Sequence, residues 1–346
     1  MTRRAAAGLA ACLAVGACSE RKAAPAGAHI GAAIAAALTA AEAAREPWRC
    51  ADPDGPDAPD ERIAIGGHTW RIHGHVLALD AETDASVAGG HARGGNAALA
   101  IGAIADAAGS APATLAALGR LRGRLEQVDL VVSLGGMGAT TAELDAVFAA
   151  LADRAPWPLI VLPGDLEPVP AQIAAIAAAR RRGTAVIDGR LVQRIELPGA
   201  TIALVPGAGA VGRLAAGADG CRYRPEDAIA AFAELTPRPG LRVMASAEPP
   251  RTAEGDVPTG ERAVTAGAGQ EVDLALYGPT RGAATAACSG GRDGAAIAVT
   301  PGSSDATARL PDPRRTASAG VLTMHGTAWT WQPIDDFDSP PAPRVR

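Results

Sequence analysis

Acidic or glycine-rich turns end four apolar, strand-like runs of this sequence. They are Asp-Ala-Ala-Gly at 106–109, Gly-Gly-Met-Gly at 135–138, Pro-Gly-Asp-Leu-Glu at 163–167 and Gly-Pro-Thr-Arg at 278–281. Active sites of open α/β sheets form where strands end at their carboxyl side, so these turns are the candidate site. Asp106 and Asp165 could share one cation there. Arg281 could pair with these carboxylates and Glu167 or bind an anionic ligand, and its alternative is a solvated surface arginine.

Two further roles are open for these turns, and each has a plainer alternative. The loop 135–141 follows a strand and opens a helix, so its amides could bind an anion. A simple turn with Thr140 or Thr141 as the helix N-cap is favoured, because the loop lacks the Gly-Lys-Ser/Thr ending of a phosphate-binding loop. Asp165 and Glu167 could act as paired acid and base, but no nucleophile is evident beside them, so surface or capping roles are preferred.

The histidines suggest a weaker metal hypothesis. His73 and His75 are two positions apart on a predicted strand and would share a face, with His68 nearby. Asp80 and Glu82 are the only candidates for further ligands. Since a zinc site needs three or four ligands, ordinary hairpin histidines are favoured.

The order of predicted elements indicates how these turns are positioned. A hairpin is predicted from strands at 63–65 and 70–79. From residue 98, strands alternate with helices, which predicts parallel pairing. The second half has more strands and fewer helices, which favours antiparallel pairing. Helices are predicted at 29–45, 113–125, 141–153, 170–181 and 225–235.

Composition limits the classes of function. The chain has 346 residues, of which 48% are apolar and 20% are charged, so it can form a sizeable core. Aromatic residues make up only 3%, and alanine dominates the apolar set. The net charge of −5 argues against a general nucleic-acid-binding protein, which needs clustered Lys and Arg.

The N-terminus carries a targeting signal. Arg3 and Arg4 precede a short apolar run at 5–17 that is too short to span a bilayer. The run ends in Leu-Ala-Val-Gly-Ala-Cys, which resembles a bacterial lipoprotein signal with lipidation at Cys18. The following Ser19 implies an outer-membrane location by the same resemblance. The alternative is an ordinary secreted protein that is cleaved nearby.

Export would permit disulfide formation. Cys50, Cys221 and Cys288 remain once the signal and the lipidated cysteine are set aside, so one bridge and one free thiol are predicted. Cys50–Cys221 is the preferred pair, with Cys288 left in a loop rich in small residues. Three free thiols are the alternative.

The order of elements and the positions of the turns from Leu99 to Pro333 resemble the calcineurin-like metallophosphoesterase family. That resemblance implies an α/β sandwich of two mixed β-sheets flanked by helices. Members open with Asp-x-His-Gly, where this chain has Asp106 and, at the histidine, Ala108. Their next strand ends in Gly-Asp, whose aspartate bridges two metals, and Gly136 stands at that place.

The remaining family motifs are also altered. Gly-Asn-His-Asp/Glu corresponds to Gly164-Asp165-Leu166-Glu167, and the strand-ending histidine corresponds to Ala247. Gly-His-x-His corresponds to Gly278-Pro279-Thr280-Arg281, and Asn-Pro-Gly-Ser corresponds to Thr300-Pro301-Gly302-Ser303. Family members use two divalent metals, and Asp106 and Asp165 are what is left of that ligand set. The resemblance therefore implies a degenerate site that requires no cofactor.

Together these observations predict a protein of the bacterial cell envelope, held in the outer membrane by a lipid on Cys18. The predicted segments are the signal 1–17, a tether with an alanine-rich helix at 18–48, an extension at 49–97, the phosphoesterase-like domain at 98–334 and a tail at 335–346. The favoured function is a pseudoenzyme that binds a small ligand or an envelope protein. The alternatives are a hydrolase with a rebuilt one-metal or metal-free site and a structural lipoprotein that acts through its surface.

Overall fold

The computed structural model describes residues 46–80, 98–235, 239–248, 272–278, 284–289, 295–301 and 317–335. The chain divides into two compact units, Met1–Glu46 and Pro47–Arg346, and nearly all described residues belong to the second. Predictions for the signal and Cys18, for the helix at 29–45, for Arg281 and Pro279, and for the tail beyond 335 lie outside the described residues. No helix in the described ranges is long and apolar enough to cross a bilayer.

A six-stranded sheet carries the first three candidate turns. Its strands in spatial order are β17 (Ala328–Asp335), β16 (Ser318–His325), β5 (Leu99–Ile104), β6 (Leu130–Leu134), β7 (Leu159–Leu162) and β8 (Val186–Asp188). Strands β5 to β8 pair in parallel, as the alternation of strands and helices predicts. Their carboxyl ends therefore share one edge of the sheet.

A nine-stranded sheet lies against the first. In spatial order it contains β14 (Ala284–Ser289), β15 (Ala295–Thr300), β13 (Leu274–Tyr277), β12 (Leu241–Ser246), β10 (Ala200–Val205), β9 (Arg194–Leu197), β4 (Val76–Leu79), β3 (His68–Gly74) and β2 (Ala58–Ile65). Its centre, β10-β12-β13-β15, pairs in parallel, so the antiparallel pairing expected for the second half is wrong there. Cys288 lies in β14, so its predicted position in a loop is wrong. The strand was missed because its small residues carry little hydrophobic signal.

Four helices, two 3-10 turns and a two-stranded sheet are the other elements in the described part of this unit. The helices are α1 (Pro112–Arg124), α2 (Thr141–Ala152), α3 (Val169–Arg181) and α4 (Pro225–Ala233), each within two residues of its predicted bounds. Single 3-10 turns lie at Val211–Arg213 and Gly217–Asp219, and β1 (Trp48–Arg49) pairs in parallel with β11 (Cys221–Arg222).

The alternation of side chains along the strands separates the core into layers. Leu130 and Val132 of β6 pack between the two sheets. Val131, between them, packs on the other face with Leu118 of α1 and Phe148 of α2. Successive side chains of a strand point to opposite faces, so β6 is buried on both sides. The predicted α/β sandwich of two mixed sheets flanked by helices is confirmed, and it is the arrangement that the calcineurin-like resemblance implies.

The predicted strand 70–79 is in fact two strands. Gly74, with a φ of +55°, turns the chain so that His73 pairs with Val76. A left-handed φ is easily adopted by glycine, which explains a break within an otherwise apolar run. Strand β4 then pairs in parallel with β9, so the hairpin expected as an extension is built into the nine-stranded sheet.

Candidate functional site at the strand ends

The first three candidate turns lie against one another at the carboxyl edge of β5, β6 and β7. A Cβ atom placed on Gly136 would lie 2.9 Å from the Cα of Asp106. One placed on Gly135 would lie 2.8 Å from the Cα of Gly164. These backbones approach so closely that Gly135 and Gly136 tolerate no side chain.

The nine-stranded sheet contributes the fourth and fifth motifs to the same edge. A Cβ atom on Gly135 would lie 3.3 Å from the Cβ of Ala247, which directly follows β12. A Cβ atom on Gly278, after β13, would lie 2.7 Å from the Cβ of Ala105 and 2.8 Å from the carbonyl oxygen of Leu134. The structure thus brings together five turns that are far apart in the sequence. In the segment 300–303, which corresponds to Asn-Pro-Gly-Ser, Pro301 is buried after β15. Gly302 and Ser303 lie outside the described residues.

The turn after β5 is held by its backbone. The amide of Asp106 donates to the carbonyl of Gly135 at 2.9 Å, and that of Ala108 donates to Gly136 at 2.8 Å. Asp106 and Ala108 have φ angles of +55° and +52°. Aspartate tolerates this left-handed region but alanine rarely adopts it, so the backbone bonds hold Ala108 in an unfavourable conformation.

Glu167 is a structural clamp beneath these turns and not an exposed carboxylate. Its side chain is 1% exposed. Oε1 accepts a hydrogen bond from the amide of Met137, and Oε2 accepts one from the amide of Gly164 at 2.8 Å. Burial raises the pKa of Glu167, and the bonds from the Met137 and Gly164 amides act in the opposite direction. The surface or capping role preferred from the sequence is wrong for Glu167, because both oxygens bind amides inside the fold and neither caps a helix.

Asp165 and Leu166 lie closer to solvent. Both are half-buried, and the carbonyl of Asp165 accepts a hydrogen bond from the amide of Ala216 at 3.3 Å. Asp106 is also half-buried. Of the predicted cleft residues, Asp106 and Asp165 are the carboxylates that solvent can reach, while Glu167 is sealed below them.

Several amides of the glycine loop 135–141 are bound within the fold and are not free for an external anion. Besides the amide of Met137, which Glu167 binds, those of Ala139 and Thr140 donate to Glu143 Oε2 at 2.9 and 3.1 Å. Thr140 Oγ1 accepts from the amide of Glu143 at 3.2 Å, forming a capping box at the start of α2. The anion-cradle alternative is therefore wrong, and the favoured N-cap role of Thr140 is confirmed.

A second buried carboxylate, which the sequence analysis missed, lies directly after Ala247. Glu248 Oε2 accepts hydrogen bonds from Tyr223 Oη at 2.8 Å and from the amide of Gly209 at 3.0 Å. Its Oε1 lies 3.1 Å from Arg213 Nη1. The only sequence signal for this cluster was the position of Glu248 after a strand, since its partners lie 25 or more positions away.

The segment 206–220, named here the covering loop, crosses this edge of the two sheets. Its Gly207 amide donates to the carbonyl of Pro163 at 2.7 Å, and Ala216 binds Asp165 as described. Gly209 and Arg213 bind Glu248. The loop is thus fastened to the ends of β7 in one sheet and β12 in the other, directly over the candidate site.

The covering loop ends at a disulfide. Cys50 and Cys221, the pair preferred from the sequence, form a bridge with Cα atoms 5.6 Å apart. Both cysteines are buried and pack against Val169 at the start of α3. The bridge therefore joins β1 to β11 beside the candidate site.

The histidines of the hairpin bind separate partners. His73 Nδ1 lies 2.9 Å from Asp60 Oδ1, whereas His75 Nδ1 lies 2.9 Å from the carbonyl oxygen of Leu191. His75 is in the turn after β3, so the two do not share a strand face. His68 Nε2 lies 3.0 Å from Asp129 Oδ1. Within the described ranges, no three His, Cys, Asp or Glu side chains lie close enough to hold a metal ion together.

The pKa of Glu167 predicts a pH-dependent effect of the Glu167→Gln substitution. Because that pKa is raised, the folded chain keeps a proton at pH values where the unfolded chain has released it. The free energy of unfolding of the wild type therefore falls as the pH rises from the ordinary glutamate pKa through the raised one. The variant lacks this decline, but its NH₂ group faces an amide donor, which costs about 1–3 kcal/mol. We expect its stability deficit to shrink as the pH rises above the ordinary glutamate pKa of about 4.3.

Urea denaturation followed by tryptophan fluorescence across this pH range measures the deficit. Glu126→Gln, on an exposed side chain, controls for the loss of one negative charge. A deficit that stays constant or grows with pH would contradict the raised pKa.

No protein-family model matches the sequence, and no curated protein matches it. Several solved structures resemble the fold. TT1561 of Thermus thermophilus aligns with a TM-score of 0.48 at 17% identity, covering 70% of this chain and 100% of that one. A purple acid phosphatase from yellow lupin (Lupinus luteus) seeds gives 0.49 at 12% identity, covering 78% and 57%. The NAD nucleotidase of Haemophilus influenzae gives 0.41 at 10% identity, covering 68% and 49%. At these identities the similarity concerns the fold alone.

Proposed function

We propose that this chain is a lipid-anchored protein of the bacterial envelope whose phosphoesterase-like domain does not hydrolyse phosphoesters with two metals. Its strand-end edge serves instead as a binding surface for a small ligand or an envelope protein. The observation that carries the proposal is the contact between Gly136 and Asp106, because it removes the room in which a bridging carboxylate would stand.

The residues at the matched positions do not fit a pair of divalent metals. Such a pair needs many convergent oxygen and nitrogen ligands. Ala108 and Ala247 have hydrocarbon side chains at two of the ligand positions, and hydrocarbon groups have no lone pairs to donate. Leu166 stands where the family has a histidine that assists near the leaving group, and it can neither donate a proton nor bind a metal. A side chain at Gly136 would collide with the backbone of Asp106. We therefore derive no hydrolytic step through metals.

The interior of the edge supports the same proposal. Glu167 and Glu143 bind the amides of the glycine loop, and Glu248 binds the covering loop through Gly209 and Arg213. These carboxylates hold the loops together and have their oxygens occupied within the fold. Asp106 and Asp165 are half-buried at this edge, and Arg213, which pairs with Glu248, is partly exposed, so polar groups for recognising a ligand lie at its surface.

The lipid anchor rests on the N-terminal sequence. Arg3 and Arg4, the apolar run 5–17 and Cys18 supply the signal. Mass analysis of the N-terminal peptide from membranes is expected to show an acylated Cys18, and a Cys18→Ser variant is expected to stay unprocessed or become soluble.

An assay for metal-dependent hydrolysis tests the proposed inactivity. The protein, purified without chelator, is incubated with bis-p-nitrophenyl phosphate and added Mn²⁺. We expect no release of nitrophenolate above that of the buffer, and no difference between the wild type and an Asp106→Ala variant. An Asp54→Ala variant, changed at an exposed position, serves as the matched control.

Turnover that Asp106→Ala abolishes and Asp54→Ala spares would contradict the proposal. It would favour the hydrolase with a rebuilt site. A stoichiometric metal ion in the purified protein, lost from an Asp165→Ala variant, would assign that site to one cation.

A further inference from the structure

The part of the domain nearest to the N-terminal tether is apolar and exposed. Trp48 begins the first described strand and is 40% exposed, and Val211 in the covering loop is 46% exposed. Ala210, Gly212 and Ala215 are exposed beside Val211. We name these five residues the tether-side surface.

Trp48 is joined to the covering loop through its backbone, and Gly220 and Leu214 connect it to Val211. The amide of Trp48 donates to the carbonyl of Gly220 at 3.0 Å. A Cβ atom on Gly220 would lie 3.1 Å from Leu214, whose own amide donates to the carbonyl of Val211 at 3.1 Å. The loop is also closed at its base, because the amide of Ala208 donates to Cys221 at 3.0 Å. Trp48 and Val211 are therefore fixed on one compact structure and do not depend on a loose loop.

The covering loop carries few charges, in keeping with the apolar residues that it exposes. The covering loop contains two charged residues, Arg213 and Asp219, so it carries no net charge in a chain whose net charge is −5. Leu214 is buried beneath the loop, while the residues around it face outward. A loop that exposes valine, alanine and glycine and carries no net charge suits contact with an apolar surface.

We propose that the tether-side surface rests on the phospholipid bilayer. The inference builds on the proposed lipid anchor, because Trp48 is the point at which the domain follows the tether. The 29 residues 19–47 separate Cys18 from Trp48, and such a chain spans at most about 100 Å. Tethering raises the local concentration of this surface at the bilayer, so weak apolar contacts become populated. Tryptophan suits the interface because its ring is apolar and its N–H is polar.

The proposal has a consequence for the candidate site. The covering loop lies over the ends of β7 and β12, so a bilayer in contact with Val211 would lie on the same side as Asp165 and Glu248. A ligand of this edge would then meet the protein at the membrane surface.

Vesicle flotation tests the surface apart from the anchor. The full chain with Cys18→Ser, which cannot be lipidated, is mixed with vesicles of phosphatidylethanolamine and phosphatidylglycerol. We expect a measurable fraction to float, and Val211→Asp in this background to lower the apparent affinity about tenfold. Ile173→Asp is the matched control, since Ile173 is 42% exposed on α3 and lies outside the tether-side surface.

Vesicles with brominated lipids provide a second readout. We expect them to quench the fluorescence of the Cys18→Ser protein, and Trp48→Phe to remove most of that quenching. Trp70 and Trp157 are buried, and the partly buried Trp329 and Trp331 lie on β17, outside the tether-side surface. Three results would each overturn the proposal. They are absence of flotation, an equal loss of vesicle affinity with Val211→Asp and Ile173→Asp, and unchanged quenching in Trp48→Phe. Failure of the lipid anchor alone would appear as an unmodified Cys18 in the wild type, and these vesicle results do not depend on it.

Discussion

Replacing Cys50 and Cys221 together by alanine is expected to lower the free energy of unfolding by about 2–5 kcal/mol. The bridge joins residues 171 positions apart, so it removes many conformations from the unfolded chain. Both cysteines are buried against Val169, so the substitution also removes packed volume. Guanidinium denaturation under non-reducing conditions, followed by circular dichroism, measures the change.

Cys288→Ala is the control for this experiment, since it removes a cysteine and leaves the bridge intact. It is expected to shift the midpoint much less than the double variant. The wild type in excess reductant should approach the double variant. Equal midpoints for the oxidised wild type and the double variant would show that the bridge adds nothing to stability.

Restoring the missing bridging carboxylate by Gly136→Asp is expected to destabilise the protein and to bring back no hydrolysis. The φ of Gly136 is +74°, which costs an ordinary L-residue about 1–2 kcal/mol. Its Cβ would also lie 2.9 Å from the Cα of Asp106, and such overpacking against backbone costs about 1–3 kcal/mol more. We therefore expect the free energy of unfolding to fall by about 2–5 kcal/mol.

The same chain supplies matched glycine controls. Gly119 and Gly123 lie in α1, and a Cβ atom on either meets nothing within 4 Å. Gly119→Ala and Gly123→Ala should raise stability by about 0.5–1 kcal/mol, because alanine favours the helix. Gly136→Ala should destabilise nearly as much as Gly136→Asp, which separates backbone collision from charge. A stable Gly136→Asp protein with manganese-dependent turnover would refute this account of the site.

The parts of the fold that follow from local sequence were predictable. Helices α1 to α3 and strands β5 to β7 were predicted within a few residues, because their apolar periodicity and flanking turns act over short distances. Strand β14, built of alanine, threonine, cysteine and serine, was missed because small residues give no clear period. The break at Gly74 was missed because His75 and Val76 continue a strand-like pattern.

In the candidate site, too, the features that depend on local sequence were predictable and those that depend on tertiary contacts were not. The positions of Asp106, Gly136 and Asp165 follow from the turns that end their strands, so the sequence indicated which turns would form the edge. Glu248 was missed, although it directly follows Ala247, because Tyr223 and Arg213 reach it through tertiary contacts. The role of Glu167 could not be separated from that of Asp165, since burial is a property of the assembled sheets.

The pairing of β4 with β9 imposes an order on the folding of the chain. Val76 pairs locally with His73, but its second partner, Arg194, lies much later in the chain, so the early hairpin leaves the ribosome long before the sheet edge that receives it. Non-local parallel pairing of this kind is slow to form. A polypeptide whose strands remain unpaired for most of its synthesis stays unfolded. Such a chain can pass through a secretion channel before its tertiary structure forms.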